Sequence, residues 1–259
     1  MLKKRLIGVV TIKNKRVVQS YNYDKYLPLG SPECIVENLD RWCVDEIFVQ
    51  VIDRSKRELG PDFDLIKTIS SLGLSTPLIY GGGISSVEDG IKIIQLGADR
   101  LAIDSLLSRN PDVVKDLSYH IGSQALIAVL PISVRDDSLL WMDYHQRTSM
   151  ELNHDMLQVL GSGVVSEIII SNWEGEGVSG SFNDKFISNF PIQQGISLIP
   201  FGGVDTKNRV STLIDNPNVS AIAIGNFLNY SEHSVQLFKN KINNSVVLRP
   251  PTYKEEFKF

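Results

Sequence analysis

The two halves of this chain repeat each other, and that repeat restricts the possible folds more than any other feature of the sequence. Apolar and glycine-containing segments in the first half match segments in the second half when the sequence is shifted by 120 residues. The aligned pairs are 78–84 with 198–204, 6–10 with 126–130, and 103–105 with 223–225. One offset that holds at three separate places indicates two homologous halves of similar structure.

Short apolar runs rich in Ile and Val occur eight times along the chain, and helix-like segments separate them. They lie at 6–10, 47–52, 77–80, 101–103, 125–130, 167–170, 197–200 and 221–224. Continuous rather than alternating hydrophobicity is typical of strands buried on both faces, and strands that alternate with helices predict a parallel sheet. Together with the repeat, this predicts an α/β fold, a (β/α)8 TIM barrel built from two homologous half-barrels. An open doubly wound sheet is the alternative, but it leaves the repeat unexplained.

The length of 259 residues is compatible with one large domain or with two small ones. Because neither half of the repeat can close a barrel alone, we expect a single domain over 1–245, with half-barrels of about 1–122 and 123–245. Residues 246–259 lie beyond the repeat. We expect a C-terminal tail there, since two prolines near its start stop any helix.

The composition argues against several classes of function. The chain has 26 Lys and Arg against 30 Asp and Glu, a net charge of -4, so it lacks the basic character of a nucleic-acid-binding protein. No apolar run approaches the roughly 18 residues of a membrane span, and we expect a cytoplasmic protein without a membrane partner. Cys34, Cys43 and four scattered histidines show no metal-ligand spacing, so we expect neither a metal nor another cofactor.

Glycines follow the third and seventh predicted strands, at the barrel end where active sites are built. Because glycine has no Cβ, such loops let backbone N–H groups approach an anion closely. Matching positions in both halves predict an elongated ligand with a phosphate at each end; the plainer alternative is that the glycines only form tight turns. The first predicted phosphate site consists of Gly82, Gly83, Asp104 and Ser105, and the second of Gly202, Gly203, Gly225 and Asn226.

Several motifs together carry a resemblance to a known family. They are MLKKRLI at 1–7, YGGGI at 80–84, GADR at 97–100, NP at 110–111, GSQA at 122–125 and FGG at 201–203. With these motifs the chain resembles, from residue 1 to about residue 230, the cyclase subunit of imidazole glycerol phosphate synthase. The resemblance implies a barrel that forms a heterodimer with a glutaminase subunit, takes ammonia from it and binds a phosphorylated small-molecule ligand. The family's bis-phosphorylated ribotide substrate matches the two predicted phosphate sites.

The family's reaction depends on two aspartates that act as general acid and base, and both are replaced in this sequence. The aligned residues are Thr11, at the end of the first predicted strand, and Pro131, at the end of the fifth. Neither side chain can take up a proton near neutral pH, so we do not expect ordinary cyclase activity. Any chemistry that the chain retains would be that of a lyase or of another ammonia-using synthase subunit.

Four other carboxylates follow predicted strand ends. Glu174 and Glu176 are the candidate catalytic residues, because they occupy the positions of two loop aspartates of the family; Asp53 and Asp104 are further candidates. Asp104 replaces an asparagine of the family, and its charge would oppose a phosphate in the first site unless the side chain points away. A loop acid or a helix cap is the plainer role for each of the four.

Two arginines and two glutamates stand at the starts of predicted strands one, two, four and six. Buried charges are costly unless paired, so Arg5, Glu46, Arg100 and Glu167 predict a balanced charged ring at the amino-terminal mouth of the barrel. The resemblance implies that this ring is the gate through which ammonia enters from the glutaminase. The alternative is that these residues only close the bottom of the barrel and stabilise it.

Three functional hypotheses follow. The first is a cyclase-like synthase subunit of a glutamine amidotransferase that serves the amidation of a surface-polysaccharide sugar, since relatives in bacterial polysaccharide gene sets look like ammonia suppliers and commonly lack the first aspartate. The second is a noncatalytic scaffold that activates a glutaminase. The third is a genuine cyclase subunit of histidine biosynthesis with relocated catalytic residues. The sequence keeps the predicted phosphate sites and the charged ring but has lost the two aspartates. This combination favours the first hypothesis.

Overall fold

The computed structural model describes residues 3–152, 154–191, 195–229 and 234–242. Within these ranges no helix is both long enough and apolar enough to cross a membrane. The predicted tail at 246–259, and the last residues assigned to the second half-barrel, lie outside the described residues.

Strands and helices alternate along the described residues, as the apolar runs predict. The strands are β1 (Arg5–Lys13), β2 (Arg16–Tyr21), β3 (Lys25–Gly30), β4 (Glu46–Val51), β5 (Leu78–Gly81), β6 (Arg100–Ile103), β7 (Leu126–Arg135), β8 (Ser138–Asp143), β9 (Thr148–Glu151), β10 (Glu167–Asn172), β11 (Ser197–Phe201) and β12 (Ala221–Ile224). The helices are α1 (Pro32–Arg41), α2 (Phe63–Ser70), α3 (Val87–Gln95), α4 (Leu106–Arg109), α5 (Pro111–Ile121), α6 (His154–Gly161), α7 (Lys185–Ser188), α8 (Lys207–Asp215) and α9 (Ser234–Ile242). The eight apolar runs fall on β1, β4, β5, β6, β7, β10, β11 and β12.

These eight strands close into a parallel barrel. In the order β1, β4, β5, β6, β7, β10 and β11, each strand pairs in parallel with the next. β12 pairs in parallel with β1, where Arg5 lies opposite Ala221, and a parallel bridge joins Leu198 of β11 to Val219, just before β12. The predicted (β/α)8 barrel is therefore confirmed, and the open sheet is excluded. The predicted boundary between half-barrels falls at Gly122, between α5 and β7.

Two antiparallel hairpins extend the carboxyl end of the barrel, and the apolar runs do not predict them. β1 continues beyond the barrel and pairs with β2, which in turn pairs with β3. In the same way β7 pairs with β8, and β8 pairs with β9. The β1–β2 turn holds Asn14 and Lys15 at φ angles of 49° and 62°, and the β7–β8 turn holds Asp136 and Asp137 at 47° and 65°. Such turns match the twist of paired strands but usually contain glycine, so the sequence signal here is weak.

The interior of the barrel is apolar. Phe48 and Phe201 are its largest side chains, and the whole inner cluster is buried. Its members are Ile7, Val9, Phe48, Ile79, Ala102, Ile127, Val129, Ile169, Ile199, Phe201, Ala221 and Ala223. Because burying an unpaired polar group is costly, this interior confines polar and charged groups to the two ends of the barrel.

Candidate functional site

A pocket of about 720 Å³ opens at the carboxyl ends of the barrel strands. Phe48, Ala102 and Val129 of the apolar interior line its inner part, and the loops after β4, β5, β6 and β10 line its sides together with the two hairpins. A volume of this size accommodates a small-molecule ligand. The carboxyl end is also where barrels of this kind place their active sites.

The first predicted phosphate site forms part of the pocket wall. Gly82 and Gly83 line the pocket at φ angles of 135° and 76°. A Cβ at Gly82 would lie 2.3 Å from the carbonyl oxygen of Val51, and one at Gly83 would lie 2.2 Å from that of Gly60. Only glycine fits either position. The N–H of Gly83 donates to the Ser55 hydroxyl at 2.9 Å, so the loop also holds a hydroxyl that lines the pocket.

Basic side chains outnumber charged carboxylates on the described pocket wall. Asp53, one of the candidate carboxylates, accepts from the N–H of Asn14 at 3.0 Å and lies 3.7 Å from the Arg57 guanidinium. It therefore anchors the β1–β2 turn. An excess of positive charge fits an anionic ligand. The basic residues that line the pocket are Lys13, Lys56, Arg57 and Arg147.

Asp104 lies in the pocket just after β6 and is mostly protonated near pH 7. Burial, and then the negative charge of Asp143, raise the pKa of its carboxyl to about 8. Its Oδ1 atom is buried and has no hydrogen-bond partner within the described part of the chain. The sequence suggested a charge here that opposes a phosphate. A protonated carboxyl carries no such charge and can donate a hydrogen bond.

Tyr26 lines the pocket, and so do Tyr23 and Tyr144, none of which the sequence pattern indicated. Tyr23 lies in the turn before β3, and Tyr144 follows β8. Burial raises the pKa of both phenols, so both keep their protons near neutral pH. The Tyr23 hydroxyl lies 3.5 Å from Oε1 of Gln50. Tyr23 and Tyr144 reach the pocket only because the hairpins fold over it, and no spacing in the sequence signals that contact.

The two positions at which the resemblance implies catalytic aspartates, Thr11 and Pro131, hold no proton-transferring group in the structure. Pro131 lines the pocket from β7, opposite Ser171 of β10. Thr11 is buried within β1. Proton transfer in this pocket would therefore depend on other groups, such as Asp104.

The second predicted phosphate site lies outside the pocket lining, since none of its residues is among the described residues that line the pocket. The Asn226 amide is paired with the backbone of β2: its Nδ2 donates to the Ser20 carbonyl at 2.6 Å, and its Oδ1 accepts from the Ser20 N–H at 3.3 Å. A Cβ at Gly203 would lie 2.0 Å from Ser181 Oγ, so segment 173–181 packs tightly on this loop. A role in phosphate binding stays a prediction.

The two candidate catalytic glutamates lie outside the pocket lining and differ from each other. Glu176 is 3% exposed, and its Oε2 accepts from the Ser20 hydroxyl at 2.8 Å and from the Tyr23 N–H at 3.3 Å. Burial raises the pKa of Glu176 although these hydrogen bonds oppose the shift. Glu174 is exposed and lies 3.8 Å from Arg135. Glu176 thus joins the β10–β11 segment to the β2–β3 hairpin, and catalysis by either glutamate stays a prediction.

Replacing Glu176 with alanine is expected to loosen the β2–β3 hairpin. The Tyr23 N–H and the Ser20 hydroxyl lose their shared acceptor, which costs about 1–3 kcal/mol of unfolding free energy. Chemical denaturation and amide hydrogen exchange measure the two effects, with faster exchange expected across 16–30. Glu174→Ala is the matched control, because its side chain is exposed. Equal effects of the two substitutions would show that Glu176 does not hold the hairpin.

The charged ring lies at the opposite end of the barrel, where its four side chains contact one another in a closed cycle. Arg5 lies 2.9 Å from Glu46 and also contacts Glu167. Arg100 lies 3.3 Å from Glu46 and 2.7 Å from Glu167. All four side chains are between 8% and 15% exposed. Burial opposes the charged form of Glu167, but the two arginines outweigh it and hold the pKa of that carboxyl below its usual value.

Two serines that the sequence pattern did not single out support this ring. Ser166 Oγ accepts from Arg100 at 2.9 Å. Ser220 Oγ accepts from Arg5 at 3.2 Å and donates to Glu167. Ser166 directly precedes β10, and Ser220 directly precedes β12. The four residues of the ring also lie at strand starts, so this position in the sequence was the signal that could have identified the two serines.

The described residues contain no group of three or more His, Cys, Asp or Glu side chains that could hold a metal ion. Cys34 is exposed and Cys43 is buried, and both are free thiols. The polar groups that line the pocket include hydroxyls, side-chain amides, basic side chains and carboxyl groups.

Comparison with known proteins identifies related chains of nearly the same length. A family model described as histidine biosynthesis protein matches residues 5–234. Imidazole glycerol phosphate synthase subunit HisF of Bacillus cereus strain G9842 is 26% identical over 255 residues, with 95% of this chain and 98% of that one covered. Subunit HisF of Staphylococcus carnosus strain TM300 is 26% identical over 253 residues, with the same coverage. A Vibrio vulnificus YJ016 protein, provisionally named as subunit hisF2, is 26% identical over 246 residues and covers 95% and 90%.

Proposed function

Because the chain belongs to the histidine biosynthesis protein family, we propose that it is a cyclase-like synthase subunit of a glutamine amidotransferase. A glutaminase subunit is its partner, and the two form a heterodimer at the barrel end that carries the charged ring. The ammonia serves the amidation of a phosphorylated sugar for a surface polysaccharide rather than the closure of an imidazole ring.

The observation that carries this proposal is the charged ring at the opposite end of the barrel from the pocket. Four largely desolvated charges are a poor means of stabilising a barrel, because apolar side chains of similar volume often stabilise as well or better. The apolar inner cluster fills the barrel between its two ends, and three of its members, Phe48, Ala102 and Val129, line the inner part of the pocket. An apolar interior of this kind would suit the passage of uncharged ammonia and oppose that of ions.

The first predicted phosphate site supports a ligand with a phosphate. Gly82 and Gly83 are held in conformations that only glycine fits, Asp104 is mostly neutral near pH 7, and basic side chains surround the pocket. The second predicted site is packed against the β2–β3 hairpin through Asn226. A sugar phosphate with one phosphate in the first site therefore fits better than a ligand with a phosphate at each end.

The noncatalytic scaffold remains the second candidate, and a specific observation favours it. The pocket lacks the family's acid–base pair at Thr11 and Pro131, and Glu174 and Glu176 do not line it. A scaffold would activate the glutaminase without using the pocket. The two candidates therefore differ in whether the first predicted phosphate site is needed.

Two assays test the proposal. The purified chain, incubated with ammonium salt and the bis-phosphorylated ribotide of histidine biosynthesis, is expected to form no imidazole product; turnover at the rate of a HisF subunit assayed in parallel would overturn the proposal in favour of a genuine cyclase. The chain mixed with its glutaminase is expected to form a heterodimer and to accelerate glutamine hydrolysis. If polysaccharide amidation in cells survives Gly83→Ala, the scaffold is correct instead.

A further inference from the structure

Asp104 is a half-buried residue that lines the pocket and forms no ion pair among the described residues. It follows β6 directly, beside Ser105 and in the same pocket wall as Gly82 and Gly83. Its Oδ1 atom is buried without a hydrogen-bond partner in the described ranges. Buried polar atoms are rarely left unpartnered in folded proteins, so an orphaned carboxyl oxygen on a residue that lines a pocket points to a ligand.

The groups around Asp104 favour its neutral form. Burial penalises the carboxylate most strongly, and the negative charge of Asp143 adds to that penalty. Tyr23 and Tyr144 face the same pocket, and burial keeps both phenols protonated. Below a pH of about 8 the carboxyl therefore carries a proton that it can donate.

We propose that Asp104 binds the ligand's phosphoryl oxygen as a protonated hydrogen-bond donor, and that loss of this proton releases the ligand. This inference rests on the proposed phosphoryl ligand in the first predicted phosphate site. A protonated carboxyl donates one hydrogen bond to an anionic oxygen, whereas a carboxylate repels that oxygen across the same short distance. Asp104 is then a pH-dependent binding residue in a position where the related family has an uncharged amide.

Few other groups at the pocket change charge in the relevant pH range. Burial and nearby positive charges lower the pKa of His145, so this imidazole is neutral above about pH 6.5. The tyrosines stay protonated. The wild type and Asp104→Asn share the basic side chains on the wall and the carboxyls of Asp24, Asp53 and Asp143. Any effect of these groups on sulfate affinity therefore cancels when the two proteins are compared. The basic residues are Lys13, Lys56, Arg57 and Arg147.

Binding of inorganic sulfate, measured by titration calorimetry from about pH 6.5 to about pH 9.5, tests the proposal. Sulfate keeps one charge state over this range, unlike phosphate. With the pKa of Asp104 at about 8, the protonated fraction, and hence the affinity, is expected to fall roughly thirtyfold. Asp104→Asn keeps a donor but cannot ionise, so its affinity should stay level. An equal fall in the wild type and Asp104→Asn would overturn the inference while leaving sulfate binding, and with it the proposed ligand site, intact.

Asp143→Asn provides a second test of whether Asp104 causes the fall in sulfate affinity. The measurement is the direction in which the midpoint of that fall moves along the pH scale. A neighbouring anion raises the pKa of a carboxyl, so removing the charge of Asp143 lowers the pKa of Asp104. The fall in sulfate affinity should therefore move to lower pH, and the shift should be small because burial is the larger cause. A shift to higher pH would contradict the assignment of the titration to Asp104.

Sulfate that fails to bind at any pH would count against the proposed ligand site instead. Asp104 is then tested directly by carboxyl-carbon NMR, with Asp104→Asn used to assign its resonance. A midpoint near pH 8 is expected, and a midpoint near the ordinary aspartate value of about 4 would overturn the inference.

Discussion

Glu167→Gln is expected to lower the free energy of unfolding by about 3 kcal/mol near pH 7. Glu167 contacts both Arg5 and Arg100, and it accepts a further hydrogen bond from Ser220. The substitution leaves two buried guanidinium groups with the single carboxylate of Glu46. Removing one member of a buried ionic cluster leaves charge without compensation, which costs more than the intact cluster contributes. Urea denaturation of both proteins measures the difference.

The pH dependence of this effect follows from the pKa of Glu167, which the two arginines hold below its usual value. A carboxyl with a depressed pKa in the folded state stabilises the protein above its unfolded pKa of about 4.3, and this stabilisation is lost as the pH falls through the folded pKa. The difference in unfolding free energy between wild type and Glu167→Gln should therefore become smaller as the pH falls into the acid range. A difference that stays constant would show that Glu167 does not act through its charge.

Glu174→Gln provides the matched control for this measurement. Its carboxylate lies 3.8 Å from Arg135, and both side chains are exposed to solvent. Exposed pairs contribute about 0–1 kcal/mol, so the same chemical change should have little effect there. If the control is as destabilising as Glu167→Gln, the charged ring has no special role in the stability of the barrel.

The barrel and the ring were predictable because both depend on strand positions. Ile and Val runs mark strands buried on both faces, and the offset between Gly83 and Gly203 relates the two halves. Strand starts in a parallel barrel meet at one end, so the order of the strands alone places Arg5, Glu46 and Arg100 near one another. The same argument located the first predicted phosphate site at the other end.

The position of the second predicted phosphate site outside the pocket lining was not predictable in this way. It depends on Glu176 and Asn226 contacting Ser20 of β2, contacts that span 156 and 206 residues of sequence. The hairpin that carries Ser20 begins at a turn of Asn14 and Lys15, which lacks the usual glycine signal. An internal repeat predicts equivalent strands, but insertions between strands pack according to their own side chains.

Gly83→Ala is expected to weaken sulfate binding at least tenfold and to destabilise the fold by about 1–3 kcal/mol. At a φ of 76° an alanine is strained, and its Cβ would lie 2.2 Å from the Gly60 carbonyl oxygen. Neither atom belongs to a flexible side chain, so the loop itself must move. That movement breaks the hydrogen bond from the Gly83 N–H to Ser55 and displaces the wall of the pocket.

Gly73→Ala separates the effect of the clash from the effect of the backbone conformation. Gly73 has a φ of 69°, and no atom lies within 4 Å of the position that its Cβ would take. This variant should lose about 1 kcal/mol of stability, because alanine is disfavoured at positive φ, while sulfate binds as in wild type. Calorimetry under one set of conditions compares the two variants. If Gly83→Ala binds sulfate as tightly as Gly73→Ala, the loop at Gly83 does not form the anion site.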